Sequence, residues 1–119
     1  MLSQNLETGK KGEDIATHFL IQKGYTIQER NWRHKHWEVD IIASKGTILH
    51  FIEVKTRTNM HYGYPEEGIS KEKMQHLKNA AMVYQFKHQR WKYIQFDAIA
   101  IQLQGLTIKE IMLIEDIYF

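Results

Sequence analysis

At 119 residues the chain has room for one domain, residues 1–119, with a real core, and not for two. It has no cysteine, which excludes a disulfide framework and a thiolate zinc site. No apolar run approaches the ~20 residues needed to span a bilayer. The formal net charge of +2 permits a nucleic-acid partner without demanding one. The first residues lack a charged segment leading into an apolar one, so the expectation is a cytoplasmic protein with no membrane partner.

Residues from about Thr8 to Lys23 read as a helix, with Ile15, Ala16, Phe19 and Leu20 at helical spacing. Thr8 is the expected N-cap, and Gly24 suits the position just past the C-terminus. Glu13 falls at the edge of the apolar stripe in the first turn. From spacing alone it is a carboxylate favoured by the helix dipole. Tyr25 to Trp32 alternates as a first strand. Arg33 to His36 is a basic turn that can contact phosphate. A solvated turn accounts for His34 and His36 better than a transition-metal pair.

Two apolar runs interrupted by acids follow, Trp37–Ile42 and Phe51–Arg57, and Ser44-Lys45-Gly46 between them has turn chemistry, so they read as an antiparallel hairpin. Alternation puts Glu38, Asp40 and Ile42 on one face of the first run and Trp37, Val39 and Ile41 on the other. In the second run Phe51, Glu53, Lys55 and Arg57 share a face. The hairpin therefore brings Asp40 close to Glu53 and Lys55. Carboxylates gathered at the end of an apolar sheet need their charge compensated, and a divalent cation is the usual means.

Residues 58–68 form a long loop directly after Lys55 and Arg57, where Tyr62 and Tyr64 either stack on unpaired bases or pack. Ser70 caps a second helix that runs to about Phe86 and buries Met74, Leu77, Ala81 and Tyr84, with Ile69 and Met74 spaced as a hydrophobic staple. Lys73 lies in its first turn, where a solvated side chain is the plain reading. Lys87 to Lys92 is a basic connection. Tyr93 to Gln102 is a strand with apolar residues on both faces, as in a strand covered on both sides. Asp97 within it needs a partner, and a structural bond suits it better than catalysis. Gln104-Gly105 turns into a last strand, Leu106–Ile114, and Ile117-Tyr118-Phe119 is an apolar end that docks on the core or on a second subunit.

Asp40 followed by Glu53-x-Lys55 on the next strand resembles the metal-dependent nuclease motif PD-(D/E)XK. The wider pattern resembles the YraN-like family of bacterial proteins. It comprises Gly9-x-x-Gly12-Glu13, Lys23-Gly24-Tyr25, Arg30-Asn31-Trp32-Arg33, Glu38-x-Asp40, Phe51 to Arg57, Gly63-x-Pro65-Glu66-Glu67, Lys73, Ala80-Ala81 and Phe96-Asp97. Trp37 departs from it, since a glycine usually precedes the glutamate. The resemblance implies an α/β, restriction-endonuclease-like fold, with a mixed β-sheet in the order α-β-β-β-α-β-β flanked by helices, similar to Holliday-junction resolvases. It turns Glu13 toward the metal site and gives Lys73 an inward role.

On this reading Asp40 and Glu53, joined by Glu13, hold Mg²⁺ or Mn²⁺, which lowers the pKa of a bound water. Lys55 orients or deprotonates that water, and Glu38 is a further ligand to metal or water. Arg57, Lys73, Arg33, Lys35 and Tyr64 are the expected nucleic-acid contacts. The expected activity is endonucleolytic cleavage of DNA, branched or structured DNA included, by a homodimer, because cutting two strands takes two sites. The alternative is a noncatalytic nucleic-acid-binding or assembly module that keeps the fold.

Overall fold

A computed structural model describes residues 2–58 and 70–117, with only the backbone path given for residues 2–8. Its elements are α1 (Leu2–Gln22), β1 (Thr26–His34), β2 (Trp37–Lys45), β3 (Ile48–Arg57), α2 (Lys71–Lys87), β4 (Tyr93–Gln104) and β5 (Thr107–Ile114). The five strands form one sheet in the order β1-β2-β3-β4-β5. Neighbours are antiparallel except β3 and β4, which run parallel because α2 carries the chain across between them. This is the mixed, restriction-endonuclease-like arrangement expected. No helix among the described residues is long and apolar enough to cross a membrane.

Each helix covers one face. Ala16 and Leu20 of α1 pack with Ile41, Ala43, Ile52, Ile99, Ile101 and Leu103. Met74, Leu77, Ala80, Ala81 and Tyr84 of α2 pack with Val39, Ile42, Leu49, Phe51 and Phe96. Ile99 and Ile101 thus face α1 while Phe96 faces α2, as a strand covered on both sides requires. Ile117 docks on the α2-side core, and its N–H donates to Phe96 O at 2.8 Å.

Several boundaries depart from expectation. α1 begins at Leu2, so position 8 lies inside the helix and not at its N-cap, and Glu13 is more than two turns from the N-terminus, out of the dipole's reach. Gly24 does end it: φ is +92°, Tyr25 N–H donates to Leu20 O and Gly24 N–H to Ile21 O, the Schellman pattern. β1 runs on to His34, leaving only Lys35 and His36 in the turn, and β4 reaches Gln104. Ser70 caps α2, its Oγ accepting from Lys73 N–H at 3.0 Å. The Ile69 half of the staple and the loop aromatics Tyr62 and Tyr64 lie outside the described residues.

The face assignment of β2 needs correction. Val39 packs on the α2 side and Ile41 on the α1 side, although they are two residues apart. The β1–β2 pairing skips Asn31 and Asp40, and Asn31 has φ +52°. Asparagine tolerates that left-handed conformation better than most residues. The pleat slips by one residue there, so strict alternation fails at the acid that matters most.

Candidate active site

The site follows from a fork in the sheet. β2 pairs with β3 only from Ile41↔Ile52 to Lys45↔Ile48. Below that point β2 stays with β1, down to Trp37, while β3 stays with β4, down to Arg57. Asp40 and Glu53 are the next residues on the parting strands. The backbone N–H of Val54, left without a ladder partner on β2, donates to Asp40 Oδ2 at 2.8 Å. The fork opens a cleft of about 1010 Å³. Glu38 and Asp40 line it from one prong, Val54 to Thr58 from the other, Arg30 and Asn31 from β1, and Gly9, Lys10, Glu13 and Asp14 from α1.

Gly12 lets α1 approach. A β-carbon there would lie 1.9 Å from Thr56 Oγ1 and 3.0 Å from Thr56 Cβ. Only glycine allows the helix to sit this close to β3, and this contact lowers Glu13 toward the fork.

The electrostatics are those of crowded, half-dry charges. Glu53 is 6% exposed. Its Oε1 lies 2.5 Å from Lys73 Nζ and 3.8 Å from Lys55 Nζ. Burial first, and the Glu53 carboxylate second, push Asp40 from its ordinary 3.8 up to about 7, against the opposing pull of the Val54 N–H and Lys73. Burial, then the neighbouring Lys73, pulls Lys55 from 10.5 down to about 8. Burial alone would lower Lys73 too, but its hydrogen bonds to Glu53 and Lys55 outweigh that and hold it above its ordinary value. Of the two amines, Lys73 keeps its proton and Lys55 is poised to lose one.

The other expected residues divide. Glu13 is buried beside the cleft, but its Oε1 accepts from Arg30 Nε at 3.2 Å and Asn31 Nδ2 at 2.8 Å. Arg30 also reaches Asp14 at 2.6 Å. Glu38 lines the cleft in an exposed pair with Arg33 at 3.0 Å. Arg57 lines it too, and its buried Nε has no hydrogen-bond partner among the described residues. Lys35 sits in the β1–β2 turn and does not line the cleft, and Tyr64 lies outside the described residues.

Among the described residues, no three His, Asp or Glu side chains gather closely enough to hold an ion. The expected set of Asp40, Glu53 and Glu13 is therefore not assembled, and Asp40 and Glu53 remain as neighbouring carboxylates, close enough for each charge to bear on the other. Mg²⁺ commonly takes one or two carboxylates and fills the rest of its shell with water.

The sequence missed two functional neighbours, Arg30 and Asn31, which set the position of Glu13. The signal was the polar Arg30-Asn31 step inside an otherwise alternating strand. Asp97 has the structural partner expected of it. Its Oδ2 lies 2.6 Å from His50 Nδ1, and its Oδ1 accepts from Gln95 Nε2 and from Asp116 N–H, both at 2.9 Å.

Residues 12–101 match the family described as "Uncharacterised protein family UPF0102". A UPF0102 protein of Dictyoglomus turgidum is 46% identical over 100 residues, covering 83% of this chain and 85% of its own. One from Rhodococcus opacus is 38% identical over 103 residues, covering 86% and 87%. One from Flavobacterium psychrophilum is 37% identical over 108 residues, covering 91% of each. The matched span runs from Gly12, which seats α1, through the fork and Lys73 to Ile101 in β4, and on that likeness the chain belongs to the UPF0102, or YraN-like, family.

Proposed function

We propose that the chain is a metal-dependent endonuclease that hydrolyses phosphodiester bonds in DNA. The observation that carries this reading is the placing of Asp40 against Glu53 where the strands part, with Lys55 beside them depressed to about 8. Stability does not account for the cluster, because buried ion pairs seldom outperform apolar packing.

Asp40 and Glu53 would hold Mg²⁺ or Mn²⁺, which supplies Lewis acidity toward the phosphate and a more acidic water. Asp40 presents its Oδ1, since Val54 N–H holds its Oδ2. Lys73 anchors Glu53 and keeps the neighbouring Lys55 amine short of its full charge. Lys55 takes a proton from the attacking water as the new P–O bond forms, and the ester P–O bond breaks, its oxygen gaining a proton from solvent. Arg57 lines the cleft and brings its guanidinium charge to the side on which a phosphate would lie. Glu13 shapes the site through Arg30 and Asn31. Cutting both strands takes two copies of the site, so the acting species is a homodimer.

The second reading, a nucleic-acid-binding module without catalysis, is favoured by one observation: Glu53 and Glu13 already carry cationic partners. Cleavage assays on branched, single-stranded and duplex DNA, in Mg²⁺ and in Mn²⁺, separate the two. The nuclease reading expects cleavage that Asp40→Ala abolishes. Binding with no cleavage in either metal selects the module.

A further inference from the structure

The far end of α2 carries a surface that the fork does not use. From Lys73 to Phe96 the chain has no Asp or Glu, and it has five Lys or Arg. Phe86 is 75% exposed and Met82 68%, large apolar side chains that a soluble helix would ordinarily turn inward. Together with Gln85, Gln89, Trp91 and Lys92 they line a cleft of about 370 Å³. No acid lines it, and Lys87, Arg90 and Lys92 are exposed around it.

The connection that forms its wall is pinned. Gln85 Nε2 donates to Trp91 O at 2.9 Å, and Trp91 N–H donates to His88 O at 3.2 Å. The Arg90 guanidinium lies 4.6 Å over the Trp91 ring, and His88 stacks on Tyr84 at 4.1 Å. An exposed ring on a rigid base, ringed by cations, has the components of a base-stacking platform with a phosphate-binding rim.

We infer that this cleft seats one unpaired nucleotide stretch of the substrate, with a base on Phe86 and Met82 and its phosphates on Lys87, Arg90 and Lys92. The inference deepens the nuclease reading and rests on it for the class of ligand. The exposed stripe of α2, Lys71, Gln75, Met82 and Phe86, leads from the helix end nearest the fork to this cleft. At ~1.5 Å per residue that path is ~23 Å long. Phosphates along one duplex strand are ~3.4 Å apart, so it corresponds to roughly seven nucleotides. A branched or gapped substrate would place duplex at the fork and its single-stranded arm here.

The test is fluorescence anisotropy in EDTA, using fluorescein-labelled oligo(dT) of about fifteen nucleotides and a blunt duplex of equal length. Phe86→Ala is expected to weaken oligo(dT) binding by roughly 5- to 150-fold, the equivalent of one stacked base, while Phe86→Trp retains it. Arg90→Glu with Lys92→Glu is expected to flatten the salt dependence by roughly 1.4 log units per log unit of salt, two phosphates' worth for a single strand. Phe86→Ala should weaken duplex binding less than oligo(dT) binding, since paired bases are not free to stack on the ring. Phe86 is exposed, so its replacement leaves the fold intact. Because the assay needs neither metal nor cleavage, a failed nuclease reading leaves it decisive. Unchanged binding by Phe86→Ala overturns the inference, as does a wild type that does not bind oligo(dT). Binding to phosphatidylserine vesicles that these variants lose, in place of DNA binding, assigns the patch to a membrane surface and also overturns it.

Discussion

Asp40 on β2 takes the backbone N–H of Val54 on β3 at 2.8 Å, and this side-chain bond stands where a main-chain ladder bond would otherwise have continued the pairing. The acid therefore holds the fork open and is itself held in place by it. Its conformational freedom is already spent before any cation or phosphate arrives, as preorganised sites require.

The same placement costs stability. Asp40 titrates near 7 when folded against an ordinary 3.8, so between those values the native state binds more protons than the unfolded chain. Stability contributed by the protonated acid is present at low pH and is lost as pH rises toward 7. Asp40→Asn keeps an acceptor for Val54 N–H and removes the charge. It should raise unfolding free energy at pH 8 by on the order of 2 kcal/mol and change it little near pH 4. Urea titrations in EDTA at both pH values measure this. Mn²⁺ should raise the Tm of wild type and leave that of the variant unmoved. A variant less stable than wild type at pH 8 would contradict the account of Asp40.

Lys55 and Lys73 make a kinetic prediction. With Lys55 depressed to about 8, cleavage should rise with pH through an apparent pKa near 8. Lys73→Met removes the neighbouring ammonium that helps hold Lys55 down, so the rising limb should move to higher pH. The readout is the pH profile of kcat/KM, which a purely structural role for Lys73 would scale without shifting. A profile that stays in place rejects Lys55 as the group that takes the proton.

Gly12 gives a prediction in which two effects oppose. Alanine improves helix propensity over glycine by up to ~1 kcal/mol. Its β-carbon would also collide with Thr56, whose Oγ1 would be 1.9 Å away. Threonine is short and β-branched, so it cannot swing clear, and overpacking of this kind costs ~1–3 kcal/mol. The collision should win, leaving Gly12→Ala less stable by about 1 kcal/mol. Thr56→Ala in the same chain should recover most of the loss, as a double-mutant cycle would read. Additive losses would show that the helix already has room.

Much of this was legible in the chain, and the exceptions share a physical origin. Alternation placed Glu53 on the face of Phe51, because β3 is regular from end to end, and in the structure that face meets α2 and Lys73. Ser70 and Gly24 read correctly because capping chemistry is local. β2 was misread because its pleat slips opposite Asn31, and a single positive φ leaves almost no mark on a hydrophobic pattern. The fork was invisible for a related reason: where two strands stop pairing depends on which neighbours hold them, and β1 and β4 are distant in sequence. The start of α1 was set too late because Thr8 offers a good cap and the apolar stripe begins only beyond it. The purpose of Gly12 needed Thr56, 44 residues away, and was visible only as part of a family motif.

His50 and Asp97 provide the control for all of these. The pair is buried, at 5% and 0% side-chain exposure, and every oxygen of Asp97 has a donor or ring nitrogen against it. With both carboxylate oxygens engaged and both side chains buried, it offers no open position to a substrate. Removing one member of such a pair strands the other in a dry core, at a cost of ~3–5 kcal/mol. Asp97→Ala should lose that much in urea unfolding. Asp97→Asn should lose less, since an amide still accepts from Asp116 N–H. At temperatures where both variants are folded, their cleavage rate and its pH profile should match wild type, in contrast to Asp40→Asn, which gains stability and loses activity. Loss of activity in folded Asp97→Asn would move this buried pair into the catalytic machinery and require a second route for the proton.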